Sequence, residues 1–149
     1  MTAPATGISN HIYWLALSLT PGLGPTRGRR LAEHFEKVEN IFQASLTELE
    51  ALNLQAQSAQ HIALGKSLDL AHEEFARAAA AGVEVVAPGD RRWPSRLSEI
   101  YDPPLVLYVR GNAAVLSRPG IAVVGQDTRL PMESACQNVS PVTWLRAGW

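Results

Sequence analysis

Two stretches of this chain have residue types and spacings suited to holding a phosphate group. The first is Leu19-Thr20-Pro21-Gly22-Leu23-Gly24, followed at once by Arg27, Arg29 and Arg30. Gly22 and Gly24 let the backbone turn tightly with positive φ and bring amide hydrogens to the start of a second helix. A helix N-terminus favours anions, phosphate included, and the arginines behind it would add contacts. Contacts of this kind read no base sequence, so binding would be nonspecific and salt-sensitive. The alternative is a steric Gly/Pro turn with the arginines on a solvated face. The second stretch is Ile121-Ala122-Val123-Val124-Gly125. An apolar strand ending in glycine is how a dinucleotide-type phosphate loop begins. Without a glycine-rich loop and helix after Gly125 that site cannot form, and a plain strand-to-turn reading describes the stretch better.

Other chemistry is poorly provided for. His11, His34, His61 and His72 show no metal-ligand spacing, and Cys136 is the one cysteine, so neither a metal site nor a disulfide framework is expected. His72-Glu73-Glu74 lacks the second histidine of a helical zinc motif. Trp93 and Tyr101 could stack bases. Beside Pro94, Leu97 and Ile100, they read more simply as core.

The elements that position these residues follow from periodicity. Ile12, Leu15, Ala16 and Leu19 fall at helical spacing, and Thr20 to Pro25 break that helix. A second helix runs from Thr26, a plausible N-cap, to about Phe35. Gly28 in its first turns costs about 1 kcal/mol against alanine. Short helices follow over 41–64, with starts at Thr47-Glu48 and Ser58-Ala59. Ser67 caps a clearer helix ending near Ala81, before Gly82. Strands are expected at Val83–Val86, Leu105–Val109 and Ile121–Val124. A short helix after Trp93-Pro94, with Leu97 and Ile100 inward, stops at Asp102-Pro103-Pro104. The first two helical pairs resemble each other faintly.

Composition is that of an ordinary globular chain, 46% hydrophobic and 18% charged, with a formal net charge of -1. No global basic field announces nucleic acid, so any binding must come from a local patch. The start carries neither a basic n-region nor a long apolar run, and no apolar stretch is long enough to cross a bilayer. A reducing cytoplasm is the expected setting.

The run Trp93-Pro94-Ser95-Arg96-Leu97-Ser98-Glu99-Ile100-Tyr101-Asp102-Pro103-Pro104-Leu105-Val106-Leu107-Tyr108-Val109-Arg110-Gly111 closely resembles the DNA-processing protein A (DprA/Smf) family. That family shows an aromatic-Pro pair, usually Tyr-Pro, then Asp-Pro-Pro, an apolar strand with Tyr, and a basic-Gly pair. Ile121 to Gly125 is similar to its first Rossmann strand, and Tyr13–Leu17 with Pro21–Pro25 to the helical domain that often precedes it. The resemblance covers about residues 10–125. It implies an α/β protein: an all-α helix-hairpin-helix (SAM-like) domain over 10–66, the incomplete start of a Rossmann-like parallel sheet over 67–125, and a non-family tail over 126–149; the small, polar residues 1–9 are expected, from their composition, to be frayed and disordered. It implies binding and protection of incoming single-stranded DNA, loading of a RecA-type recombinase, no catalysis, no cofactor, and a homodimer in full-length members. Carried over residue by residue, the family's phosphate loop leaves only Gly125 here. Gln126-Asp127 stands where a Ser/Thr-Arg pair is expected, and Asp127 would repel phosphate.

Codon degeneracy offers an account of that departure. Read one nucleotide earlier, codons compatible with Gln126 to Trp149 can encode a Thr-Arg and Tyr-Gly loop and then an amphipathic helix ending at glycine. A single-nucleotide deletion just after Gly125 is therefore expected. Two readings from other classes stand beside the resemblance. One is a stand-alone helix-hairpin-helix module binding DNA nonspecifically or binding protein. The other is the front of a nucleotide-dependent Rossmann enzyme, against which the helical domain and Asp102-Pro103-Pro104 argue.

Overall fold

The computed structural model describes residues 6–121, and those up to Arg118 form one compact unit. Six helices come first: α1 (Thr6–Ser18), α2 (Pro25–His34), α3 (Val38–Ile41), α4 (Leu46–Ala51), α5 (Ala56–Ala63) and α6 (Lys66–Ala80). Then follow β1 (Val83–Val86), α7 (Ser95–Glu99), β2 (Leu107–Arg110) and a 3-10 turn, Ala113–Ser117. The first helix starts at Thr6, so residues 6–9 are helical rather than frayed. In the sequence Ile8 extends the period of Ile12, Leu15 and Leu19 by one more turn.

Helix α1 is buried on two sides. Leu17 joins a core with Leu23, Leu31, Val38, Ile41, Leu49, Ala59 and Ile62. Leu15 and Ala16 join a second core with Ala71, Ala78 and Val85. Small side chains let α6 lie close against α1, and a hydroxyl pair closes that contact. Thr20 Oγ1 donates to the Ala16 carbonyl at 2.8 Å, so its proton is committed and Ser67 Oγ, 2.8 Å away, donates to it. Ser67 is fully buried and does not cap α6. The N-cap is Gly65, in the left-handed region at φ 72°, which allows α6 to follow α5 without a linker. Ser58 likewise lies inside its helix, whose N-cap is Gln55, and it donates to the Pro21 carbonyl at 2.6 Å. Helix α4 starts one residue earlier than expected, on a Ser45–Glu48 capping box. Those bonds hold the Glu48 carboxyl below its ordinary value.

The turn before α5 repeats the one before α2 at a constant offset. Asn53, at φ 58°, stands for Gly22, at φ 74°; Leu54 stands for Leu23; Ala59 and Ile62 stand for Gly28 and Leu31. Among the described residues the sheet is a single antiparallel pair, with Val83 opposite Arg110 and Val86 opposite Leu107. This corrects the expected parallel start. A parallel pair needs a crossover of a dozen or more residues, usually a helix. The prolines at 88, 94, 103 and 104 leave room only for the five-residue α7. The strand also begins at Leu107, because Leu105 turns into the helical core at 3% exposure. Residues on both sides of position 66 therefore share these cores. The strand expected over 121–124 reaches past the last described residue, and Gly125 and 126–149 lie outside the described residues.

A polar cluster ties the loop after β1 to α1. The Asp90 carboxylate accepts from the Arg92 amide at 2.8 Å and from its guanidinium at 3.1 and 2.7 Å, and pairs with His11 Nε2 at 3.0 Å. Arg92 also pairs with Glu84. These bonds, the guanidinium's first, outweigh desolvation and hold the Asp90 carboxyl down to about 2.

Candidate nucleic-acid interface

The α1–α2 turn places its two glycines differently. Gly22 needs to be glycine because its φ is 74°; the atom nearest an added Cβ, Gln55 Oε1 at 2.4 Å, ends an exposed, flexible side chain that can move aside. Gly24 is extended, at φ -75°, has open space around it, and serves as the N-cap of α2. Positive φ is thus a property of Gly22 alone. Pro25 occupies the first helical position, where its missing N–H costs nothing. Thr26 is inside the helix and caps nothing.

Its hydroxyl has another partner. Thr26 Oγ1 donates to Asp102 Oδ1 at 2.8 Å, across 76 positions of sequence. The chain therefore brings its own carboxylate to the positive end of α2, where the spacing of Gly22, Gly24 and the arginines suggested a phosphate. Beyond Asp102 the chain runs through Pro103 and Pro104 to Leu105. Leu105 rests on Gly28, where an added Cβ would stand 2.8 Å from its Cδ1. The otherwise unfavourable helix glycine is thereby explained by a close approach. Asp102-Pro103-Pro104-Leu105 works as a clasp on the first two turns of α2.

The three arginines do not converge. Arg27 and Arg30 are exposed. Arg29 is half-buried on another side of α2, in a groove of about 470 Å³ lined also by Trp14, Glu33, Glu36, Lys37 and Glu39. Three carboxylates against two cations make that groove a poor phosphate site. Among the described residues no group of three histidine, cysteine or acidic side chains could hold a metal ion, and no helix is long and apolar enough to cross a membrane.

Two exposures depart from expectation. Tyr101 is wholly exposed and Ile100 is 48% exposed, so neither belongs to the core, because the Asp102–Thr26 bond carries this segment along the outside of α2. Sequence reasoning also missed the Asp102–Thr26, Thr20–Ser67 and Asp90–Arg92 contacts. The Gly28 anomaly was the one available signal for the clasp.

Comparison with known proteins identifies the segment that includes this clasp. Residues 84–143 match the family of DNA recombination-mediator protein A. The chain is also similar to Protein Smf of Synechocystis sp., 32% identical over 130 residues. That alignment covers 84% of this chain and 32% of the relative, so the chain spans about a third of the relative's length. No solved structure matches the chain. The class these matches point to is that of the DNA recombination mediators, and the chain is similar in particular to the DprA/Smf family. The matched span runs past Gly125 and takes in 126–143, part of the stretch expected to be foreign to the family.

Proposed function

We propose that this chain is part of a noncatalytic DNA recombination mediator. In this reading the whole protein binds and protects incoming single-stranded DNA, loads a RecA-type recombinase on it, and works as a homodimer in the cytoplasm. The family match over residues 84–143 carries the proposal. The repeated α1–α2 and α4–α5 turns are read as a tandem helix-hairpin-helix unit, and the segment after Arg118 as the approach to a Rossmann-like domain.

The geometry favours a structural role for this part over a gripping one. Asp102 occupies the positive end of α2, Arg29 sits among carboxylates, and the net charge is -1. Gly22 and Gly24 shape a turn, and Arg27 and Arg30 are left as exposed cations. By this reading the main phosphate grip of the family lies beyond Gly125, and the chain binds single-stranded DNA only weakly. A fluorescence-anisotropy titration of a labelled single strand at low salt tests this. Affinity weaker than about 1 μM, worth about 8 kcal/mol, is expected, and tighter binding would overturn the reading.

A further inference from the structure

A tyrosine with its whole side chain in water needs a reason when its neighbours are pinned. Tyr101 is fully exposed, yet the next residue, Asp102, is held at 2.8 Å by Thr26 on the first turn of α2. The ring is therefore presented from an anchored stretch of backbone. Asp102 is braced from its other side by Pro103, Pro104 and the buried Leu105.

The helix to which the neighbouring Asp102 is anchored carries exposed positive charge. Arg27 follows Thr26 directly, and Arg30 lies one turn further on the same face as Thr26, at i+4. Both are exposed, and among the described residues neither takes part in an ion pair. An exposed aromatic ring on a segment tied to an arginine-bearing helix offers the two elements by which proteins hold unpaired nucleotides: a ring that stacks on a base and cations that meet the flanking phosphates. The ring requires a free base face, which a duplex does not offer, so the occupant is a single strand.

We infer that Tyr101, with Arg27 and Arg30, forms a contact for one or two unpaired nucleotides of single-stranded DNA. This rests on the single-stranded DNA reading above and adds to it a stacking residue on the helical part. The contact is weak by construction. Asp102 and Glu99 lie close by in sequence and oppose phosphate, so stacking supplies more of the affinity than charge does. With two phosphates neutralised, the logarithm of the binding constant should fall against that of salt with a slope of about -1.4.

The test titrates fluorescein-labelled oligothymidine with the 149-residue chain at low salt. Tyr101→Ala should weaken binding about tenfold, as loss of one stacked base does, whereas Tyr101→Phe should bind as the parent. Arg27→Ala/Arg30→Ala should flatten the salt slope by about 1.4. Binding to the matching duplex should not respond to Tyr101→Ala. Because the side chain is exposed, none of these changes should alter the circular dichroism. Equal binding by the parent and Tyr101→Ala would overturn the contact, and so would no binding by the parent at any protein concentration. Both results leave the weak-binding reading standing. Sub-micromolar binding that depends on the Tyr101 ring would instead overturn that reading and leave the contact in place.

Discussion

Replacing Gly28 with alanine should destabilise the chain, although alanine is the better helix former. Helix propensity alone would favour the change by about 1 kcal/mol. The new Cβ, however, would stand 2.8 Å from Leu105 Cδ1 and 3.2 Å from Cδ2. Leu105 is 3% exposed and packed among Leu17, Leu31 and their neighbours, so its methyls have little room to retreat. Overpacking of this kind costs about 1–3 kcal/mol, which leaves a net loss of about 1 kcal/mol. Leu105→Ala alone should cost about 2–5 kcal/mol through lost burial and the cavity left behind. In that background the obstruction is gone and only the propensity gain remains. Gly28→Ala should then stabilise by about 1 kcal/mol, a coupling of about 2 kcal/mol between residues 77 positions apart. Urea denaturation of the four chains, followed by circular dichroism, measures the cycle. If Gly28→Ala has the same sign and size in both backgrounds, Leu105 does not rest on α2, and the account of the Asp102-Pro103-Pro104-Leu105 clasp fails with it.

The two glycines of the first turn should separate on mutation. Gly22→Ala, strained by φ 74°, should cost about 1–2 kcal/mol, whereas Gly24→Ser should be neutral or stabilising by a few tenths, as a serine N-cap in open space. Equal denaturation midpoints for the two variants would refute the assignment. Thr20→Val should cost about 1–3 kcal/mol, because it strands the buried Ser67 hydroxyl, and adding Ser67→Ala should recover much of the loss. Acid should weaken the chain through Asp90. Its folded pKa of about 2 lies below the ordinary 3.8, so the stability it gives is complete above that ordinary value and is lost as pH falls towards 2. Allowing for partial solvent screening, about 1–2 kcal/mol is at stake. Asp90→Asn should differ from the parent at neutral pH and converge on it only as pH falls to about 2 and below, as melting temperatures across the range would show. A constant difference at every pH would rule out the ionised carboxylate as the source.

Periodicity and composition alone located most of the helices, the β1 segment and the breaks at 20–25, 82 and 102–104. These depend on neighbours a few residues apart: the apolar repeat of a helix face, the missing N–H of proline, the free φ of glycine. The run from Trp93 to Gly111 also carried the family, because it is a continuous pattern. The tertiary structure decided what could not be read from local spacing. It paired β1 with β2 in antiparallel fashion, turned Ser67 and Ser58 from supposed caps into buried hydroxyls, and left Tyr101 in water. It also set Asp102 against Thr26 at the end of α2 where a phosphate was expected. Each outcome joins residues dozens of positions apart. A sequence states how strongly a helix end attracts negative charge, but which negative group arrives there depends on how the rest of the chain packs.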